Sequence, residues 1–192
     1  MRGSAIQKPD GSLNTSSLYK ALMAAHTPSC EFASFVWKNR APPRVQFFVW
    51  LLMQRRIQSR SNLLKKSIIT DDTCELCKDH PETVDHIVFH CPVAAAFWRQ
   101  VGFELNAHAT VEALQSLTAS SPAPNPHGSV FLFLCCWNIW KHRNRVVFDG
   151  AEPCLQRLLR NCNEDARLWA WRLPRADAGV IESWSFPLCN KL

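Results

Sequence analysis

Apolar residues recur at helical spacing along most of the chain, interrupted by proline, glycine and one cysteine-rich stretch. "NTSSLYKALMAAH" predicts a short helix with Thr15 or Ser16 as N-cap and Leu18, Leu22 and Met23 on one face. "CEFASFVWKNR" predicts another turn or two, with Phe32, Phe35 and Val36 together. Pro42 and Pro43 break the pattern, and Pro43 suits the first position of the next helix, where its missing N–H has no partner to lose. In "RVQFFVWLLMQRRI" the stripe Val45, Phe48, Val49 and Leu52 is widened by Phe47, Trp50 and Leu51 until most of the circumference is apolar. Such a helix belongs in a core. Arg55 and Arg56 follow at its negative dipole end.

"SRSNLLKKSII" predicts a short amphipathic helix with Leu63, Leu64 and Ile68 inward. "CPVAAAFWRQVGF" starts another at Pro92, with Val93, Ala96, Phe97 and Gln100 at helical spacing. "SSPAPNPHG", residues 120–128, reads as a linker because three prolines and a glycine cannot continue a helix. Two more helices are expected over about 129–146 and 153–171, separated at Gly150. Period-two alternation is confined to a few residues at 145–148. The expected class is mostly α: a small metal-stapled helical domain with a two-helix C-terminal tail.

Composition permits a real core: hydrophobic residues make up 47% and charged residues 20%, with 8 Trp and 11 Phe. The longest apolar run, "VFLFLCCWNIW", is too short to span a bilayer, so no membrane association is expected. The N-terminus lacks the apolar run of a secretory signal. With 9 cysteines and no export signal, reduced thiols in the cytoplasm or nucleus are expected. The formal net charge is +6, yet residues 38–66 hold eight basic side chains and no Asp or Glu. They are Lys38, Arg40, Arg44, Arg55, Arg56, Arg60, Lys65 and Lys66. A block of this kind attracts polyanions over about 8 Å at physiological salt; the alternative is a set of solvated helix faces.

"CELCKDHPETVDHIVFHC", residues 74–91, concentrates the remaining chemistry. Cys74, Cys77, His86 and Cys91 give the pattern C-x2-C-x8-H-x4-C. Soft thiolates and one imidazole suit tetrahedral Zn²⁺, and four protein ligands make a closed structural site. Cys91 precedes Pro92, so it sits at a helix N-terminus, where the dipole favours thiolate. His80 and His90 compete with His86 for the fourth place. A thioredoxin-like motif lacks its βαβ setting, and the order H-x-E before P-C-x-x-C of zinc deaminases is reversed here.

In order along residues 15–105, Trp37, Pro43, Phe47 to Trp50, Asn62 with Leu63, Cys74, Cys77, Asp85 with His86, and Cys91 with Pro92 resemble the reverse-transcriptase zinc-binding domain of plant LINE-type (non-LTR) retrotransposons. "CCWNIWKHRNRVVF" is similar to the segment that follows that domain, ahead of ribonuclease H. The resemblance implies a module C-terminal to a polymerase in a longer polyprotein, and it implies the same four zinc ligands. Tyr19 is the sole tyrosine, which leaves no Tyr-x-Asp-Asp polymerase signature, and no acidic strand pattern of a ribonuclease H core follows Phe148. A fragment without polymerase or nuclease activity is therefore expected. Its expected organisation is a flexible N-terminus (1–14), a zinc-binding helical module (15–105), a connector with the Pro-rich linker (106–128), a helical tail (129–175) and an irregular C-terminus (176–192).

Three roles follow. As a nucleic-acid-binding accessory module, RNA or DNA, the basic block would meet phosphates and an exposed Trp37 would stack on bases, although a core position for Trp37 is the commoner fate. As a structural or docking module, it would meet the polymerase domain or another protein through Phe131, Leu134, Trp137 and Trp140. As a retroelement remnant, it would have no selected role.

Overall fold

The computed structural model describes residues 14–18, 31–120, 127–174 and 184. The chain divides into two compact units, Met1–Ala33 and Ser34–Leu192. In the first, residues 15–18 form a helical turn capped by Asn14, not by Thr15 or Ser16. The Asn14 side chain accepts from the Ser17 N–H at 3.1 Å, and its carbonyl accepts from Leu18 at 2.9 Å. Asn at N-cap satisfies an otherwise orphaned donor. Leu22 and Met23 lie outside the described residues.

The second unit is helical, and among the described residues its sole β feature is an isolated antiparallel bridge between Thr73 and Pro81. α1 (Ala33–Trp37) and α2 (Pro43–Met53) flank the Pro42–Pro43 break, with Pro43 at the first helical position. α2 buries Val45, Phe48, Val49 and Leu52, the predicted stripe. Its circumference is less buried than expected, because Phe47 is 55% exposed and Trp50 half-buried. α3 (Arg60–Lys65) is capped by Ser59, whose hydroxyl accepts from Asn62 at 3.3 Å. Its apolar side chains do not turn inward as predicted: Leu64 is exposed and Ile68, beyond the helix end, is 63% exposed. The helix is too short to bury a face, and Asn62 fastens it through bonds to the carbonyls of Arg55 and Ile57, both 2.8 Å.

After the cysteine loop, a π-helical turn (His86–His90) leads into α4 (Pro92–Gln100), followed by a 3₁₀ stretch (Val111–Ser120). α5 (Gly128–Asp149) is the central element and packs against α2, the π turn, the 3₁₀ stretch and α6 (Leu155–Ala170). Its run Val130 to Cys136 is almost wholly buried. Phe131 and Leu134 are therefore core residues rather than part of a bare docking surface, and Phe48 wedges against Trp137 and Trp140 with centroids at 5.3 and 5.8 Å. Residues 145–148 continue the helix instead of forming a strand. α5 stops at Gly150, whose φ of +63° is the left-handed conformation that glycine tolerates. Aromatic rings carry the core onward: Trp98 meets Phe103 at 5.0 Å, Phe103 meets Phe131 at 6.2 Å, and Phe131 meets Trp184 at 5.7 Å.

One buried ion pair joins the cysteine loop to α5. Glu82 is 0% and Arg143 2% exposed, and the guanidinium grips the carboxylate through two bonds, Nε to Oε2 at 3.1 Å and Nη2 to Oε1 at 2.5 Å. Glu82 Oε1 also accepts from the Arg60 backbone N–H at 2.9 Å, at the start of α3. Trp140 lies against the guanidinium, 5.2 Å from its centre. Removing one partner of a buried pair leaves the other charge unmet and costs about 3–5 kcal/mol. Arg143→Met is expected to lose that much in urea unfolding of the metal-loaded protein, and Glu82→Met with Arg143→Met to recover part of it. A single-variant loss below about 1 kcal/mol would contradict the role assigned to the pair.

Candidate metal centre

The cysteine loop is drawn closed by two short antiparallel stubs. Glu82 N–H donates to the Asp72 carbonyl at 2.7 Å and Cys74 N–H to the His80 carbonyl at 2.8 Å. Between them the chain reverses tightly, with Lys78 N–H donating to the Cys74 carbonyl at 2.8 Å and Lys78 itself at φ +57°. The turn aims the backbone N–H groups of Leu76 and Cys77 at the Cys74 sulfur. A thiolate so placed has donors waiting for its charge.

The other two candidate ligands come from the π turn and the residue that ends it. His86 N–H is held by the Thr83 hydroxyl at 3.1 Å, and Cys91 N–H donates to the His86 carbonyl at 2.7 Å. Five residues of α-helix would rotate side chains about 140° apart at 100° per residue. The wider π turn, closed by its i to i+5 bond, lines His86 up with Cys91 instead. Ile87, Val88 and Phe89 bury the turn's far side, and Trp98 Nε1 donates to the Val88 carbonyl at 2.6 Å. Cys91 then stands at the N-cap of α4, with Pro92 first in the helix.

The ligand atoms of Cys74, Cys77, His86 and Cys91 all lie within 4.8 Å of one another, and His86 Nε2 sits 3.4 Å from Cys77 Sγ. Zn–S bonds of about 2.3 Å at tetrahedral angles would set sulfurs about 3.8 Å apart. Three thiols, none in a disulfide, and one imidazole therefore surround a space of the right size, with Cys74, His86 and Cys91 buried. Of the competing histidines, His80 is exposed, pairs with Asp79 at 3.0 Å and stacks on the His86 ring at 5.8 Å. His90 is exposed outside the group.

The electrostatics favour deprotonation where the helix begins. A hydrogen bond from Cys74 and the N–H groups of Val93 and Ala94 hold the Cys91 thiol below its ordinary value. The same Cys74–Cys91 bond, together with burial, pushes the Cys74 thiol up to about 12. Burial works to lower His86, but its bonds to Cys74 and Cys77 prevail and hold it above its ordinary value. A metal entering the group must displace the Cys74 proton, so binding releases protons and weakens as pH falls.

The acidic residues Glu82 and Asp85 have partners outside the cysteine–histidine group. Glu82 holds Arg143, and Asp85 accepts from Val111 N–H at 2.9 Å and from Arg55 Nη1 at 2.7 Å. Arg55 also forks onto Glu112 at 2.5 and 2.8 Å, bonds that raise its pKa and lower that of Glu112. Arg60 bridges Glu75 at 2.9 Å and Asp71 at 3.4 Å. Two of the eight basic candidates thus already face carboxylates that are remote in sequence. Lys38, Arg40, Arg44, Arg56, Lys65 and Lys66 are exposed, with Arg44 5.9 Å from the Trp137 ring and Lys66 bonded to Gln58 at 3.1 Å. Trp37 is 47% exposed and leans on Trp50 at 5.5 Å.

A knuckle of three thiols and one imidazole that could hold a metal ion is set within a helical module. Residues 13–98 match the family described as zinc-binding in reverse transcriptase, and the four-residue group falls inside that span. The chain is also 26% identical over 184 residues to a protein of Arabidopsis thaliana provisionally named a ribonuclease H protein, which covers 90% of this chain and 28% of the relative. The chain thus spans less than a third of that relative's length. No solved structure matches it.

Purified protein should bind one Zn²⁺ per chain. Cys74→Ser should lose it, while His80→Ala and His90→Ala keep it, as read by metal analysis after dialysis. Apparent folding energies from such sites reach about 10–16 kcal/mol, so chelation should also unfold residues 72–91. Full stoichiometry in Cys74→Ser would contradict the ligand set.

Proposed function

We propose that this chain is a non-catalytic zinc-binding module of a retrotransposon reverse-transcriptase polyprotein, and that it binds nucleic acid without sequence preference through an aromatic-basic surface. The zinc is a structural ion: four protein ligands leave no open position for water or substrate. One observation carries the nucleic-acid reading. Trp37, expected in the core, stands half out of it against Trp50, and the exposed cations Lys38, Arg40 and Arg44 follow it directly. An exposed ring beside exposed cations suits a single strand, because every base has a face to stack and every nucleotide a phosphate to neutralise. Arg56, Lys65 and Lys66 extend the positive surface; Arg55 and Arg60 serve the fold through their ion pairs. Among the described residues no helix is long and apolar enough to cross a membrane, and a nuclear or cytoplasmic site of action fits this reading.

Of the four residues first considered for a protein-docking role, Phe131 and Leu134 lie in the core, while Trp137 and Trp140 are half-buried.

Fluorescence anisotropy of a labelled single-stranded RNA, titrated with zinc-loaded protein at several salt concentrations, tests the proposal. Log affinity should fall linearly with log salt, by about 0.7 per phosphate contacted. Trp37→Ala should weaken binding by about 1–3 kcal/mol at each salt concentration while leaving that slope unchanged. Absence of binding at low salt by folded, metal-replete protein would overturn the nucleic-acid role.

A further inference from the structure

α2 carries a large exposed ring that its packing does not require. Val45, Phe48, Val49 and Leu52 face the core, whereas Phe47 lies off that stripe and is 55% exposed. Side chains three apart on a helix are neighbours, about 5–6 Å between their Cβ atoms, which sets Phe47 beside Trp50. Trp50 in turn meets the Trp37 ring at 5.5 Å between centroids, the two planes tilted by 42°. Trp37 is 47% exposed and Trp50 half-buried. The three residues form a row drawn from α1 and α2, with an exposed ring at each end and a partly covered one between. Exposed Lys38 follows Trp37 in the chain, and exposed Arg44 stands one turn before Phe47 on α2. A cation therefore accompanies each exposed ring. Asn39 fixes the segment between the two helices: its side-chain oxygen accepts from Ala41 N–H at 2.9 Å, and its amide donates to Ser129 Oγ on α5 at 3.1 Å.

We propose that Trp37 and Phe47 form a platform on which two unpaired bases of one strand stack, with Lys38 and Arg44 meeting the phosphates beside them. The inference rests on the nucleic-acid reading above and deepens it. It adds Phe47 as a second stacking residue and makes the unpaired strand the preferred form, because bases inside a duplex are already stacked and must be unstacked before a ring can reach them. Rings paired with cations match the alternation of base and phosphate along a single strand. The contact between Trp37 and Trp50 and the bonds of Asn39 hold the row in place before the strand arrives, so little ordering remains to be done on binding.

The test compares Phe47→Leu, Phe47→Tyr and Phe148→Leu. Leucine keeps an apolar, helix-favouring side chain without a flat face, and tyrosine keeps the ring. Phe148 is 75% exposed on α5, nineteen residues beyond Ser129, or about 28 Å along the helix at 1.5 Å per residue. Anisotropy titrations with the same single-stranded RNA across a salt series should show binding weakened about fivefold or more by Phe47→Leu, the loss of one stacked base, with the slope against log salt unchanged. Phe47→Tyr and Phe148→Leu should bind as the unmodified protein does. Equal losses in Phe47→Leu and Phe148→Leu, equal losses in the leucine and tyrosine variants of Phe47, or none for Phe47→Leu would overturn the platform, while the unmodified protein's binding upholds the wider reading. No binding by the unmodified protein would overturn both.

Discussion

A carboxylate cannot remain ionised in a protein interior without a partner, and the burial of Glu82 is the constraint around which this structure is arranged. Its two oxygens hold Arg143 in the middle of α5 and the first backbone N–H of α3. The same residue closes the cysteine loop through its own N–H to Asp72. Three segments therefore meet at one side chain: the loop that carries Cys74 and Cys77, the short helix at the end of the basic block, and the central helix. Asp85 does the corresponding work one turn later, joining the residue before His86 to the 3₁₀ stretch and to Arg55. The metal group and the helical core are held as one body by these acids.

Much of this was legible in the chain. Prolines mark helix starts at Pro43 and Pro92 because their effect is local and steric. The stripe Val45, Phe48, Val49 and Leu52 declares a buried face by periodicity alone. The spacing from Cys74 to Cys91 picks out four donors that the fold brings within 4.8 Å. What was illegible depends on partners remote in sequence. Nothing near Glu82 announces Arg143, and nothing near Arg55 announces Glu112. The π turn was equally hidden, since its i to i+5 bond follows from the need to align His86 with Cys91 rather than from any residue preference. Leu64 and Ile68 misled because periodicity indicates which residues share a face, not whether anything covers it.

The basic block shows the same limit for charge. Eight cations without an acid between them suggest a single positive surface, yet folding carries Asp71, Glu75, Asp85 and Glu112 to two of them. Folding thus neutralises part of the block and leaves the rest exposed. The family match spans residues 13–98, and α5, which lies beyond it, supplies the partner of Glu82.

If the metal group and the core are one body through Glu82, loss of the metal must be felt beyond the loop. Hydrogen exchange of the backbone amides, compared between zinc-loaded and metal-free protein, measures this directly. The account predicts that protection falls in residues 72–91 and also in the turns of α5 around Arg143. A loss confined to 72–91, with the middle of α5 as protected as before, would contradict it and leave the cysteine loop a local staple on an independent helical core.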